Sequence, residues 1–117
     1  MNYVTLSKIL AVGWTLVILI GCTVPGPDIP LELRTSDKLM HVLIFVPFSL
    51  LWRLSGRGLV WTLLAGLGYG ILIEIIQGVF TALHRSADVE DAVADFAGTL
   101  IGLALAWGFG RVLNVKL

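Results

Sequence analysis

One cysteine, Cys22, stands among 117 residues, so neither an intrachain disulfide framework nor a cysteine-based zinc site can be built. Charge is scarce too. Asp, Glu, Lys and Arg make up 14% of the chain, against about 25% in soluble globular domains. Eight basic residues cancel eight acidic ones, which excludes the basic excess a nucleic-acid-binding surface needs. There is no run of alternating polar and apolar residues of the kind that builds a membrane β-barrel. What the chain does have is apolar residues, 57% of the total. A soluble domain this small buries only a modest share of its surface and cannot hide so much apolar area. The composition points to a single integral membrane domain, 1–117.

Four apolar runs divide it, at roughly 4–24, 38–54, 59–83 and 92–112. The first stops at the breaker PGPDIP, the second contains Pro47, the third is interrupted only by Glu74 and Gln77, and the fourth carries Asp95 near its start. Each approaches the ~20 residues that an α-helix needs to cross a ~30 Å hydrocarbon core, the second being shortest. Backbone polar groups in lipid must be satisfied within the segment, so helices are expected. Short connections then give an all-α, integral membrane, four-helix up-down bundle. Basic residues set its orientation. With both termini in the cytoplasm, Lys8, Arg53, Arg57, Arg111 and Lys116 lie inside, and Arg34, Lys38 and Arg85 outside. All eight carboxylates and both histidines, His41 and His84, then fall in the outer half. Leu19-Ile20-Gly21-Cys22 resembles a lipoprotein cleavage box, but Lys8 alone makes a weak positive leader, and an uncleaved first helix is the reading taken.

Five of the eight carboxylates (Glu74, Asp88, Glu90, Asp91, Asp95) crowd into 25 residues. Helical spacing says where they point. Gly66, Gly70, Glu74 and Gln77 share one face of the third helix, and Asp91, Asp95, Gly98 and Gly102 one face of the fourth. Small residues four apart let membrane helices approach closely. The two glycine stripes are therefore expected to pack together in the inner half, with both polar stripes facing inward in the outer half. Asp37, Lys38 and His41 stand within one turn at the head of the second helix, and Arg85 and Asp88 close the top. A polar pocket at the outer interface results. Glu74 lies about 22 Å along its helix, about 8 Å below the outer boundary of the core. At that depth it has to be neutral or paired with Arg85, Lys38 or His41.

At these residues the chain resembles the VanZ-like family of small bacterial membrane proteins. The matching elements are Asp37-Lys38-x-x-His41, Glu74-x-x-Gln77, and Arg85 followed by Asp91, Asp95 and Gly98, with CTVPGPDIP similar to the Pro-rich stretch after the family's first helix. The resemblance covers essentially the whole chain. It implies a place in the bacterial inner membrane. The family takes its name from a protein linked to low-level teicoplanin resistance, and it is grouped with membrane enzymes acting on lipid head groups. One departure stands out: the family usually has Asn where this chain has Asp95. An amide both donates and accepts, whereas an ionised carboxylate only accepts.

Chemically, His41 is a candidate general base or nucleophile at phosphorus, with Glu74, Asp91 and Asp95 tuning and orienting it. Arg85 and Lys38 suit a lipid phosphate, Arg by its bidentate fork. Asp37, Gln77 and Asp88 complete the expected substrate-binding set. Asp88, Asp91 and Asp95 at i, i+3 and i+7 also fit magnesium or manganese ligands, and the sequence leaves cofactor and metal open. His84 and Glu90 read as a solvated loop, and Trp14, Trp52, Trp61 and Trp107 as interface anchors or lipid-facing packing. The expected partner is a membrane lipid, a polyprenyl phosphate or phospholipid of the cell envelope, acted on by head-group transfer or hydrolysis. Whether the protein is an enzyme is open. The rivals are a non-catalytic binder of lipid or antibiotic and a small proton or ion conduit, the latter opposed by the lack of polar residues through the inner half.

Overall fold

The computed structural model describes residues 2–23, 34–79 and 89–117, residues 34–37 by their backbone alone. Four helices fill them: α1 Tyr3–Thr23, α2 Arg34–Leu54, α3 Leu59–Val79 and α4 Val89–Val112. Two begin earlier than the apolar runs suggest, α2 at Arg34 rather than 38 and α4 at Val89 rather than 92. Glu90 and Asp91 therefore sit in the first turn of α4, where negative charge complements the positive end of the helix dipole. The expected continuation of α3 from 80 to 83 lies outside the described residues.

Among the described residues, α1, α3 and α4 are long and apolar enough to cross a membrane. The second run was expected to do the same, and α2 does not reach that apolarity. Its first two turns carry Arg34, Asp37, Lys38 and His41, and its last carries Arg53. Lys38 and His41 in its head are turned to protein, while Leu39, Met40 and Leu43 stay exposed. The helix packs chiefly on α4, and also on α1 and α3.

Directions follow from matched contacts. Lys38 meets Asp91, His41 meets Asp95, Phe45 lies against Gly98 and Ser49 against Gly102. These pairs advance together, so α2 and α4 run parallel. Gly66 faces Thr99 and Gly70 faces Asp95, so α3 runs antiparallel to α4. The tight turn between α2 and α3 is closed by Gly56 at φ 102°, a conformation a residue with a Cβ rarely adopts. Arg57 N–H donates to the Trp52 carbonyl and Gly56 N–H to that of Arg53, which caps the end of α2.

The glycine stripes do not pack on one another as expected. A Cβ on Gly98 would strike the Val42 carbonyl, and one on Gly102 the Val46 carbonyl and the Ser49 hydroxyl. Both glycines of α4 thus receive the backbone of α2. Those of α3 receive α4 side chains: Gly66 makes room for Thr99, and Gly70 for Asp95. Equal spacing on two helices marks two small faces without saying what fills each.

Polar ties hold α1 to this core. Trp14 Nε1 donates to the Ile44 carbonyl at 2.7 Å. Trp52 Nε1 donates to Thr15 Oγ1 at 3.0 Å, and Tyr69 Oη to the Thr15 carbonyl at 2.6 Å. Trp14 and Trp52 therefore act as cross-helix donors. Trp61 and Trp107 are exposed, and Arg57 and Arg111 stack over their rings. Phe45, Phe48, Ile18, Ile73 and Cys22 form the apolar interior.

Closing the α2–α4 gap with a methyl group should therefore be costly. Gly98→Ala and Gly102→Ala are each expected to destabilise the bundle by about 1–3 kcal/mol, the range for overpacking. Gly68→Ala, with nothing within 4 Å of its added Cβ, should leave stability unchanged or raise it by up to about 1 kcal/mol. Unfolding by SDS titration in mixed micelles measures all three.

Candidate functional site

Four ionisable residues are buried together where the first turns of α2 and α4 meet the last turns of α3: His41, Glu74, Asp91 and Asp95. Asp95 is fully enclosed, at 0% exposure, and the other three lie between 4% and 7%. Three of them arrive for a reason legible in their own helices. His41 immediately precedes the Val42–Phe45 segment that presses on Gly98. Asp95 is one turn before Gly98 on the same face, and Gly70, by lacking a side chain, leaves the space the carboxylate occupies. Glu74 follows Gly70 by one turn on α3.

The shortest contact joins His41 Nδ1 to Asp95 Oδ1 at 2.7 Å. When Asp95 is ionised it accepts from Nδ1–H, which leaves Nε2 on the other side of the ring. That side holds Asp91, whose Oδ2 lies 3.7 Å from Nε2. Asp91 directs its other oxygen to Lys38, with Nζ to Oδ1 at 3.0 Å. Lys38 also reaches Glu90 Oε2 at 3.4 Å, though Glu90 is largely exposed, and such a pair contributes little in water. The result is a relay across two helices: Glu90 and Asp91 hold Lys38, Asp91 faces His41, and His41 is fixed by Asp95. An imidazole oriented from behind by a carboxylate is equipped to accept a proton, to attack an electrophile, or to hold a cation.

Of the residues expected from the sequence, Lys38, His41, Glu74, Asp91 and Asp95 are brought together. Gln77 is buried on the same face of α3, but its Nε2 donates to the Cys22 carbonyl at 2.8 Å, tying α3 to the last turn of α1. The side chain of Asp37 and the residues His84, Arg85 and Asp88 lie outside the described residues. Asp88 of the possible metal stripe lies outside the described residues; among the described ones, His41, Glu74 and Asp91, from three helices, each offer a donor atom within 4.8 Å of the others. Glu90, expected in a solvated loop, is helical and joins the Lys38 pair. Below the site, buried hydroxyls went unnoticed in the sequence. Ser49 and Thr99 donate to carbonyls four residues back in their own helices, and Thr62 to the Gly58 carbonyl just before α3. Among the described residues, the buried ionisable side chains all belong to this one end.

The family described as VanZ/LLP1 matches residues 3–113, nearly the whole chain. Neither the curated proteins nor the solved structures yield a significant match.

If the buried histidine–aspartate pair organises this end, its members should be strongly coupled. His41→Ala and Asp95→Ala should be non-additive by about 1–3 kcal/mol in an unfolding double-mutant cycle. The Lys38→Ala and Glu90→Ala cycle should give about 0.2–1 kcal/mol, as exposed pairs do. Equal coupling in both cycles would show that burial does not set the strength of the first.

Proposed function

The chain belongs to the VanZ/LLP1 family, and from that premise we propose that it acts on a phosphate-bearing lipid of the cell envelope, in a pocket at the outer face of the bacterial inner membrane. The observation that carries this reading is the buried 2.7 Å contact between His41 and Asp95, with Nε2 turned toward the interior of the cluster. A histidine held this way has its ring orientation fixed by Asp95. In this reading His41 accepts a proton from the attacking group, or attacks phosphorus itself, while Asp95 fixes the ring and stabilises the imidazolium that forms. Glu74 and Asp91 tune the imidazole from the opposite side. Lys38 and Arg85 neutralise phosphate charge, and Asp37, Gln77 and Asp88 shape the rest of the pocket. Lys38 exchanges its carboxylate partners for phosphate oxygens when lipid enters. The reaction class is head-group transfer or hydrolysis at a phosphate.

Conduction fits the described interior less well. The buried hydroxyls toward the other end of the bundle donate to carbonyls four residues back, which breaks a proton relay, and close glycine packing fills the rest. A non-catalytic binder remains the useful contrast, since it employs the same pocket without the proton transfer.

Two experiments separate these readings. Purified protein is incubated with labelled polyprenyl phosphates and phospholipids, and the lipids are chromatographed. His41→Ala should lower conversion about 100- to 10,000-fold, the span of general acid–base catalysis, while lipid retention stays near wild type. Wild-type protein that retains lipid but converts none would make it a binder. Orientation is tested separately on a Cys22→Ala background: Glu90→Cys should react with an impermeant thiol reagent in intact spheroplasts and Arg57→Cys should not. The reverse pattern would turn the pocket to the cytoplasm.

A further inference from the structure

We propose that His41, Glu74 and Asp91 form a site for a single divalent transition-metal ion of the zinc or manganese kind, with Asp95 as the positioning residue behind the imidazole. The three donors come from α2, α3 and α4, all are buried, and their ligand atoms lie within 4.8 Å of one another. One edge is close to coordination distance already. His41 Nε2 and Asp91 Oδ2 are 3.7 Å apart, while two donors about 2.1 Å from a tetrahedral ion are about 3.4 Å apart. That 3.7 Å edge is too long for a hydrogen bond. The rotatable bonds of Glu74 let the remaining edges contract to match.

The second shell fits as well. Histidines that ligate metals usually give their other ring N–H to a carboxylate, which fixes the tautomer and raises the basicity of the ligating nitrogen. The 2.7 Å contact of Nδ1 with Asp95 supplies that arrangement. Lys38 performs the equivalent service for Asp91. By holding Oδ1 at 3.0 Å it leaves Oδ2 directed at His41. The donor types choose the ion. One imidazole and two carboxylates suit zinc or manganese, whereas magnesium and calcium favour oxygen donors alone. What the ion would do rests on the lipid-binding part of the reading given above. With Nε2 ligated to the ion and Nδ1 bonded to Asp95, His41 has no lone pair left to act as base or nucleophile, and that role belongs to the ion-free protein. A phosphate entering beside Glu74, Asp91 and Asp95 meets like charge, and a divalent cation among them converts that repulsion into attraction.

Full-length protein in detergent, stripped with chelator and dialysed against Zn²⁺, Mn²⁺ or Mg²⁺, tests the site by elemental analysis and thermal shift. Wild type should hold one Zn²⁺ or Mn²⁺ per chain with a raised Tm, and respond little to Mg²⁺. X-ray absorption of the zinc form should show one nitrogen and two or more oxygens at about 2.0–2.2 Å. Asp95→Asn should weaken affinity about 10- to 100-fold, His41→Ala and Asp91→Asn should abolish binding, and Glu90→Gln should leave it intact. Wild-type protein that takes up neither ion overturns the proposal, as does an ion that survives both His41→Ala and Asp91→Asn. An ion bound, with no lipid converted by loaded or stripped protein, upholds the site and removes the catalytic reading. Lipid converted by protein that binds no ion does the reverse.

Discussion

Backbone contact between α2 and α4 governs this molecule. At Gly98 and Gly102 there is no room even for a methyl group, because the carbonyls of Val42 and Val46 occupy the place where a Cβ would lie. Lipid offers little hydrophobic drive for helix pairing, so such close packing is a main source of association energy. It also sets register. Once Phe45 is against Gly98, His41 falls beside Asp95 and Lys38 beside Asp91, one turn apart at each step. The polar cluster is thus not an independent attraction between charges. It sits at the end of an apolar zipper that brings the groups to bonding distance, and the low dielectric there strengthens what they then form.

The same contact explains how α2 tolerates its composition. Burying a charged group without a partner is costly, and in lipid there is no water to relieve it. α2 meets this by turning His41 and Lys38 toward the carboxylates of α4 and its aromatic rings toward α1 and α3, where Phe45, Phe48 and Tyr69 cluster. The helix least suited to lipid is the one most enclosed by protein.

How far this was legible from residues alone depended on the kind of signal. Helix number and approximate position followed from apolar runs and breakers, and the inward face of α3 from Gly66, Gly70, Glu74 and Gln77 at helical spacing. The meeting of Lys38, His41, Glu74, Asp91 and Asp95 was also readable, because buried polarity in a membrane has to converge on itself. The starts of α2 and α4 were not, since polar first turns look like loop when hydropathy is the guide; dipole complementarity at Glu90 and Asp91 was the overlooked signal. Glycine spacing identified close-packing faces but not their partners, so the stripes were matched to each other instead of to the α2 backbone and the α4 side chains. The cross-helix role of Trp14 and Trp52 was hidden for a related reason. An indole at the membrane edge and an indole donating across helices have the same letter, and only the position of an acceptor such as Thr15 tells them apart.

The pairing of α2 with α4 across an intervening helix also bears on biosynthesis. A ribosome delivers α2 to the membrane well before α4 exists, so Lys38 and His41 enter the bilayer ahead of Asp91 and Asp95. Until the final helix arrives, the nascent chain carries a weakly apolar segment whose α4 carboxylates have yet to be made. Such a segment invites retention beside the insertion machinery, or slippage toward the aqueous surface, and a chain broken off before residue 89 would keep that character permanently. Completion of the last helix supplies at once the carboxylates that Lys38 and His41 contact and the glycine face on which α2 packs.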